Sequence, residues 1–194
     1  MIERVTEAFL SHKNTVNGAS EIFNESVDIV KSNYIGAMYA EKYREVKELY
    51  NQTIAESKKV NYEICFDVIS EIEEKFTECV NTPITDDISN NIECMKKIKN
   101  LTISEKKMLK KSCENNYIAY RMISDVIGDE SCFTVEFFND VMDGFKQTIK
   151  NAFRTGVNSY LYNLVLNEDF ISKYDSFFTA CCESRFDEAL KIMI

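Results

Sequence analysis

Two short segments of this sequence combine residue types that bind anionic ligands. In the first, ENNYIAYR, Tyr117 and Arg121 are four positions apart, so on a helix their side chains share one face. An aromatic ring beside a guanidinium can stack on, and pair with, a planar phosphorylated ligand. Asn116 precedes them in the sequence. The alternative interpretation is structural: Tyr117 packs in the core, while its hydroxyl and Arg121 satisfy buried polar groups.

The second segment, KNAFRTGVNSY, places Lys150 and Arg154 just before Gly156. If a helix begins after Gly156, its free amide groups would favour an anion near Arg154. The alternative is that both cations complement the dipole at the end of a helix. From the two segments together, the candidate ligand-binding residues are Asn116, Tyr117, Arg121, Lys150 and Arg154.

Catalytic and metal-binding arrangements are sparse. The one histidine, His12, is interpreted as a surface residue, and the seven cysteines contain no C-x-x-C pair of the kind that binds zinc. Glu45 and Glu48 have the E-x-x-E spacing that binds Mg²⁺ in all-α nucleotide hydrolases. Further along the chain, the acidic pairs Glu63 with Asp67 and Glu136 with Asp140 are one residue too far apart for the E-x-x-D spacing of the second pair. We therefore expect no enzyme activity, no metal and no cofactor, with a Mg²⁺-dependent hydrolase as the third-ranked alternative.

Charge and apolar patterning limit the partners and the compartment. The formal net charge of −9 disfavours nucleic acid as a partner. No stretch of about 18 apolar residues predicts a membrane span, and the first residues do not resemble a signal peptide. Scattered cysteines in an odd number are typical of reduced thiols. We expect a cytoplasmic protein that binds neither nucleic acid nor membrane.

The elements that must position these residues are helical. From about residue 33 to about residue 81 there is no proline, and apolar side chains recur every three or four positions. That stripe comprises Ile35, Tyr39, Tyr43, Val46, Tyr50, Ile54, Ile64, Val68, Ile72, Phe76 and Val80. Such a helix would run roughly 70 Å, so it either protrudes and pairs with a partner or breaks at the polar ESKKVN patch. We favour a homo-oligomer through this long helix.

The remainder, about residues 86–194, is predicted to form a helical bundle. Thr102 and Glu105 have the spacing of a capping box, and Gly128 is placed to end the helix that they begin. Met108, Ile118, Met122 and Val126 are expected on the buried face of that helix. Thr134 is a candidate cap for the next helix, and Gly156 marks its end. The sequence thus predicts one all-α domain over residues 1–194.

About residues 41–126 combine a long charged helix, a short turn and a recognisable residue pattern. The pattern is formed by Leu101, Thr102, Glu105, Asn116, Tyr117, Ala119 and Arg121. On these features, this part of the chain resembles a family of uncharacterised helical proteins encoded by phages and prophages of Gram-positive bacteria. Family membership implies a viral origin and a non-enzymatic role, and it assigns no catalytic or binding residue.

These observations leave two function classes ahead of the hydrolase. The first is a phage-encoded binding protein that counters a bacterial defence system, by sequestering a nucleotide signal or by occluding a defence protein. The second is a virion assembly or scaffold protein built on a coiled coil. A sequestering protein should lose its ligand when Arg121 or Arg154 is replaced by alanine, whereas an assembly protein should fail when Tyr43 or Val46 becomes charged.

Overall fold

The computed structural model describes residues 1–98 and 100–194, and every regular element in those two stretches is an α-helix. The all-α prediction is confirmed. Nine helices occur in the described residues: α1 Glu3–Asn33, α2 Gly36–Val80, α3 Asp86–Met95, α4 Ile103–Ser112, α5 Tyr117–Ile127, α6 Val135–Thr155, α7 Tyr160–Val165, α8 Glu168–Cys182 and α9 Phe186–Met193.

The chain divides into two compact units. Unit 1 comprises Met1, Ile69–Phe145 and Ser172–Ile194, and unit 2 comprises Ile2–Val68 and Lys146–Ile171. Each unit buries its own set of aromatic side chains, and the two are described separately.

Unit 2 is dominated by α1 and the first two-thirds of α2, which form an antiparallel helical hairpin. Their connection is short, because Tyr34 is extended at the end of α1 and Gly36 starts α2 with φ +60°, a backbone conformation that suits glycine. Ile35, which we expected in the apolar stripe, lies in this connection and is 90% exposed. The helix predicted from about residue 33 thus starts at Gly36, since Asn33 still belongs to α1.

The apolar stripe of α2 is covered in part by α1. Phe23 of α1 packs against Tyr50 with ring centroids 4.9 Å apart and against Tyr43 at 6.2 Å. The hydroxyl groups of Ser20 and Tyr50 lie 3.3 Å apart. The side chains that we interpreted as an oligomer face therefore already have a partner within the same chain.

The base of the hairpin carries the core of unit 2. The Phe9 ring lies 4.5 Å from that of Phe153 and 4.6 Å from that of Tyr162, whose hydroxyl donates a 2.7 Å hydrogen bond to the Phe9 carbonyl. His12, which we interpreted as a surface residue, is buried here with Nδ1 3.0 Å from Ser57 Oγ. Burial and the nearby Lys58 charge lower the pKa of His12, so the folded chain favours the neutral imidazole.

Unit 1 is built around stacked aromatic rings. Phe76 stacks on Phe138 with centroids 3.7 Å apart, and Phe133 packs against Phe186 at 5.3 Å. All four side chains are fully buried or nearly so. A second apolar cluster joins α3, α4 and α5, with Ile92, Cys113, Ala119, Ile123 and Ile127 at its centre.

The segment from Thr102 to Gly128, which we predicted as one helix, forms two. α4 ends at Ser112 and α5 begins at Tyr117, with a turn over the four residues between them. The turn changes which residues face the core: Met108 is 70% exposed and Ile118 is 37% exposed, although both were expected on a buried stripe. The predicted stripe assumed one continuous helix. Because a turn separates α4 from α5, the residues of these helices that face the core differ from the predicted ones.

The residues predicted to mark helix ends do lie at helix ends, although Gly128 ends α5 and not the helix that Thr102 begins. Thr102 and Glu105 form the capping box of α4, and Thr134 Oγ1 accepts a hydrogen bond from the Phe137 amide at the start of α6. Gly128 ends α5 in the left-handed conformation, and Gly156 follows α6 with φ +89°. Within the described residues, none of the helices is long and apolar enough to cross a membrane.

Candidate functional site

Tyr117 and Arg121 lie on α5 in unit 1, and their polar atoms are bonded inside the fold. The Tyr117 hydroxyl accepts a 3.2 Å hydrogen bond from the Val135 amide, and its ring meets Phe186 edge-on. Arg121 donates to Cys132 Sγ at 2.9 Å and to the Phe133 carbonyl at 3.4 Å. Burial raises the pKa of Tyr117. Both side chains hold the loop that leads into α6.

Asn116 is buried and works as a connector. Its side-chain oxygen accepts from the Ala119 amide and caps α5. Its side-chain amide donates to the carbonyls of Thr82 at 2.9 Å and Pro83 at 3.1 Å, in the segment that follows α2. Three of its hydrogen-bonding positions are thus used within the fold.

Lys150 and Arg154 belong to unit 2 and are exposed on α6, four residues apart. A helix does begin shortly after Gly156, but α7 has only six residues. Its first turn is capped by Ser159 Oγ, which accepts from the Tyr162 amide at 3.1 Å. Arg154 lies in the last turn of α6, where a cation complements the helix dipole.

Glu45, one of the two carboxylates of the candidate Mg²⁺ motif, is paired with a cation on the helix surface. Glu45 forms a 2.8 Å salt bridge with Lys42, one turn earlier on α2. In the described parts of the chain, no three His, Cys, Asp or Glu side chains are grouped closely enough to hold a metal ion.

A surface that sequence reasoning missed lies on the α1–α2 hairpin, and we call it the hairpin groove. It has a volume of about 400 Å³. Its ridges are the exposed side chains of Ile22 on α1 and Leu49 on α2, each 63% exposed. Between them lie smaller or half-buried residues: Thr15, Gly18, Ala19, Phe23, Ser26, Val46, Tyr50 and Thr53.

Gly18 occupies a position in the groove where packing within the chain does not explain the choice of glycine. It sits within α1, where glycine costs roughly 0.5–1 kcal/mol relative to alanine. A Cβ atom at this position would meet no other atom within 4 Å, so packing inside the chain does not require glycine. A small residue here instead leaves room for the close approach of another helix.

The exposed apolar side chains of α2 extend beyond the groove. Met38, Leu49 and Val60 are each more than half exposed and follow one another at intervals of eleven residues. Eleven residues make about three helical turns, so the three side chains share one face of α2. Each of the three lies about 16 Å from the next along the helix, so the part of this face that forms a continuous apolar surface is the one around Leu49, beside Ile22.

Charged side chains flank the hairpin groove on both helices. Between residues 41 and 48 of α2 there are three acidic and three basic side chains: Glu41, Glu45 and Glu48 with Lys42, Arg44 and Lys47. On α1, the acidic residues Glu21 and Glu25 flank Ile22, with no basic residue between them. The eleven-residue spacing is visible in the sequence. The predicted stripe nevertheless includes only two residues of the groove, Val46 and Tyr50, because it follows α2 alone and leaves out the residues of α1.

Comparison with protein-family models, with curated proteins and with solved structures found no match to this chain, and its function is therefore inferred from its own residues.

Proposed function

We propose that this chain is a non-enzymatic binding protein that works as a homo-oligomer, with the hairpin groove as the interface between two copies. The observation that carries the proposal is the presence of ridge and groove on one face. Ile22 and Leu49 project beside the shallow surface at Gly18 and Ala19.

A second copy is the partner that fits this face best. In a two-fold dimer the same patch is used by both subunits. Leu49 of each copy would enter the groove of the other, which explains the exposed side chain and the small residue together. Residues 41–48 of α2 add no net charge to this interface, whereas Glu21 and Glu25 beside Ile22 are acidic in both copies, so added salt should favour the dimer.

The biological role that we propose for this binding protein is to counter a bacterial defence system from within a phage. Its support is the resemblance carried by residues such as Thr102, Glu105 and Asn116, each of which also caps a helix. Virion assembly remains the alternative, because a dimerising hairpin serves a scaffold equally well. We place the protein in a reducing cytoplasm, and its seven unpaired cysteines agree with that proposal.

The interface is tested by sedimentation velocity over a concentration series. Wild-type protein is expected to form a dimer. Replacing Leu49 by Glu should weaken dimerisation at least tenfold, because a buried leucine contributes about 1.5–3 kcal/mol and a two-fold interface loses it twice. Gly18→Gln is the sharper variant: its side chain would occupy the open groove, while its Cβ meets no other atom of the chain within 4 Å, so the monomer should stay folded while the dimer dissociates.

Met108→Glu is the matched control, since Met108 is equally exposed but lies on α4 in unit 1. It should leave the dimer unchanged. A wild-type protein that is monomeric at every concentration would overturn the proposal, as would a dimer that tolerates both Leu49→Glu and Gly18→Gln.

A further inference from the structure

Unit 1 contains a cavity of about 900 Å³ bordered by α4, the end of α5 and α9. Six cationic and four anionic side chains line it, an excess of two positive charges in a chain whose net charge is −9. The cations are Lys106, Lys107, Lys110, Lys111, Arg185 and Lys191, and the anions are Glu114, Asp129, Asp187 and Glu188. Small-molecule sites commonly have volumes of about 300–1,000 Å³.

The bottom of the cavity is a fixed polar network around Lys110, which is only 8% exposed. Its ammonium group forms salt bridges with Asp129 at 2.5 Å and Asp187 at 2.7 Å, and lies 4.9 Å from the centre of the Tyr120 ring. The Asp187 amide donates to Glu114 Oε1. The buried Lys110 charge is therefore paired, and because the network holds three carboxylates and one ammonium group, the base of the cavity carries a net negative charge.

Two further cations are also occupied. Lys106 donates a 2.9 Å hydrogen bond to the carbonyl of Ile127, the last residue of α5. Arg185 forms salt bridges with Glu183 and Glu188. Because these contacts occupy Lys106 and Arg185, neither cation is available to bind a ligand.

Three lysines remain at the rim. Lys107, Lys111 and Lys191 are exposed, and no salt bridge involves them in the part of the chain that the structure describes. Lys107 and Lys111 are four residues apart on α4, so they project side by side. The cationic excess of the cavity thus comes from groups that face the solvent without an acidic partner.

The chemistry of the lining narrows the ligand. Lysine ammonium groups bind phosphate oxygens as point charges. Exposed Ile103, with Leu190 and Ile127, adds an apolar side to the lining, which suits a ligand with a flat apolar part. The net negative charge of the chain disfavours a long polyanion such as nucleic acid.

We propose that this cavity binds a small molecule carrying a chain of two or more phosphate groups, which Lys107, Lys111 and Lys191 hold at the rim, away from the carboxylates around Lys110. The site is independent of the hairpin groove, because its lining lies entirely in unit 1 and the groove lies in unit 2. Loss of one function therefore leaves the other measurable.

The site is tested by isothermal titration of the full-length protein with inorganic tripolyphosphate, ATP and adenosine. Tripolyphosphate and ATP are expected to bind, and adenosine to bind weakly or not at all. The double variant Lys107→Gln, Lys111→Gln should weaken ATP binding about tenfold, because hydrogen bonds to charged groups contribute more than neutral ones and exposure reduces that gain. Added salt should weaken binding as well.

The matched control is Lys75→Gln, Lys173→Gln, which removes two exposed lysines of unit 1 outside the cavity and leaves the same net charge. It should bind ATP as the wild type does. Equal loss in the two double variants would mean a general charge effect and would overturn the proposal. So would adenosine binding as tightly as ATP, or no heat from tripolyphosphate and ATP with wild-type protein.

Discussion

Lys110 shows how a cation can be buried in this chain. Burial alone opposes its charged form, but hydrogen bonds with Asp129 and Asp187 outweigh that effect and raise the pKa of Lys110. In return, Lys110 lowers the pKa of Asp129. Tyr120 completes the network by donating to Asp187 at 2.8 Å and accepting from the Phe133 amide at 3.1 Å. Three helices, α4, α5 and α9, are joined through this group.

Replacing Lys110 by Met is expected to lower the free energy of unfolding at pH 7 by about 1–3 kcal/mol. It leaves Asp129 and Asp187 without their cation, and their side chains are 28% and 35% exposed, so solvent offsets part of the loss. Because Lys110 lowers the pKa of Asp129, the stabilisation is present above pH ~4 and disappears as pH falls through the lowered pKa. Urea unfolding at pH 7 and in acid should therefore show a difference between wild type and variant that shrinks at low pH.

Lys107→Met serves as the control for that experiment, since Lys107 lies on the same helix but is exposed. It should change the free energy of unfolding by less than about 0.5 kcal/mol. An unchanged urea midpoint for Lys110→Met at pH 7 would contradict the role given to the network.

At the residue scale, the sequence indicated which side chains share a helix face, but not which groups those side chains contact. Tyr117 and Arg121 do share a face of α5, but their polar atoms bond to the backbone and sulfur of the loop before α6. The lysine run KKMLKK was visible, yet its meaning depends on Asp129 and Asp187, which only folding brings to Lys110. His12 was misplaced for the same reason, because the side chains that bury it come from distant positions.

At the scale of elements, local rules located the helix ends and failed where no local marker exists. The capping box of α4 and the glycine that ends α5 were predicted because the responsible residues are adjacent in sequence. The turn between α4 and α5 contains neither glycine nor proline. It is held by Asn116, whose partners at Thr82 and Pro83 lie far away along the chain.

Asn116→Ala should therefore destabilise the chain by about 2–3 kcal/mol. It removes the cap of α5, which contributes about 1 kcal/mol, and leaves two carbonyls without their donor. Asn116→Ser separates the two roles, because its hydroxyl still caps the helix but is too short to reach the carbonyls of Thr82 and Pro83. We expect its unfolding free energy to lie between those of the wild type and Asn116→Ala.

The measurement is urea unfolding followed by circular dichroism, with Asn115→Ala as the neighbouring exposed control. If Asn116→Ser is as unstable as Asn116→Ala, the cap contributes little and the long-range donors carry the effect. If Asn116→Ala unfolds like Asn115→Ala, the connecting role of Asn116 is wrong.

At the scale of the whole molecule, folding protects the thiols to very different degrees. Of the seven cysteines, Cys94 is exposed, Cys182 is half-buried, and the other five are buried. Burial raises the pKa of Cys65 to about 12 and that of Cys182 to about 11. The thiolate is the reactive form of cysteine. Burial therefore slows the reaction of these thiols in two ways, because it limits access of the reagent and keeps the thiol protonated.

Alkylation of the native chain at mildly alkaline pH should consequently modify one thiol rapidly, and Cys94→Ser should abolish that fast phase. Cys182→Ser should keep it, because Cys182 Sγ is half-buried near the Ile72 carbonyl and its pKa is raised. In urea without reductant all seven thiols should react, since none is paired in a disulfide. Mass spectrometry of the labelled protein counts the modified sites. A fast thiol that persists in Cys94→Ser would mean that the helices around the buried cysteines open faster than the aromatic core of unit 1 leads us to expect.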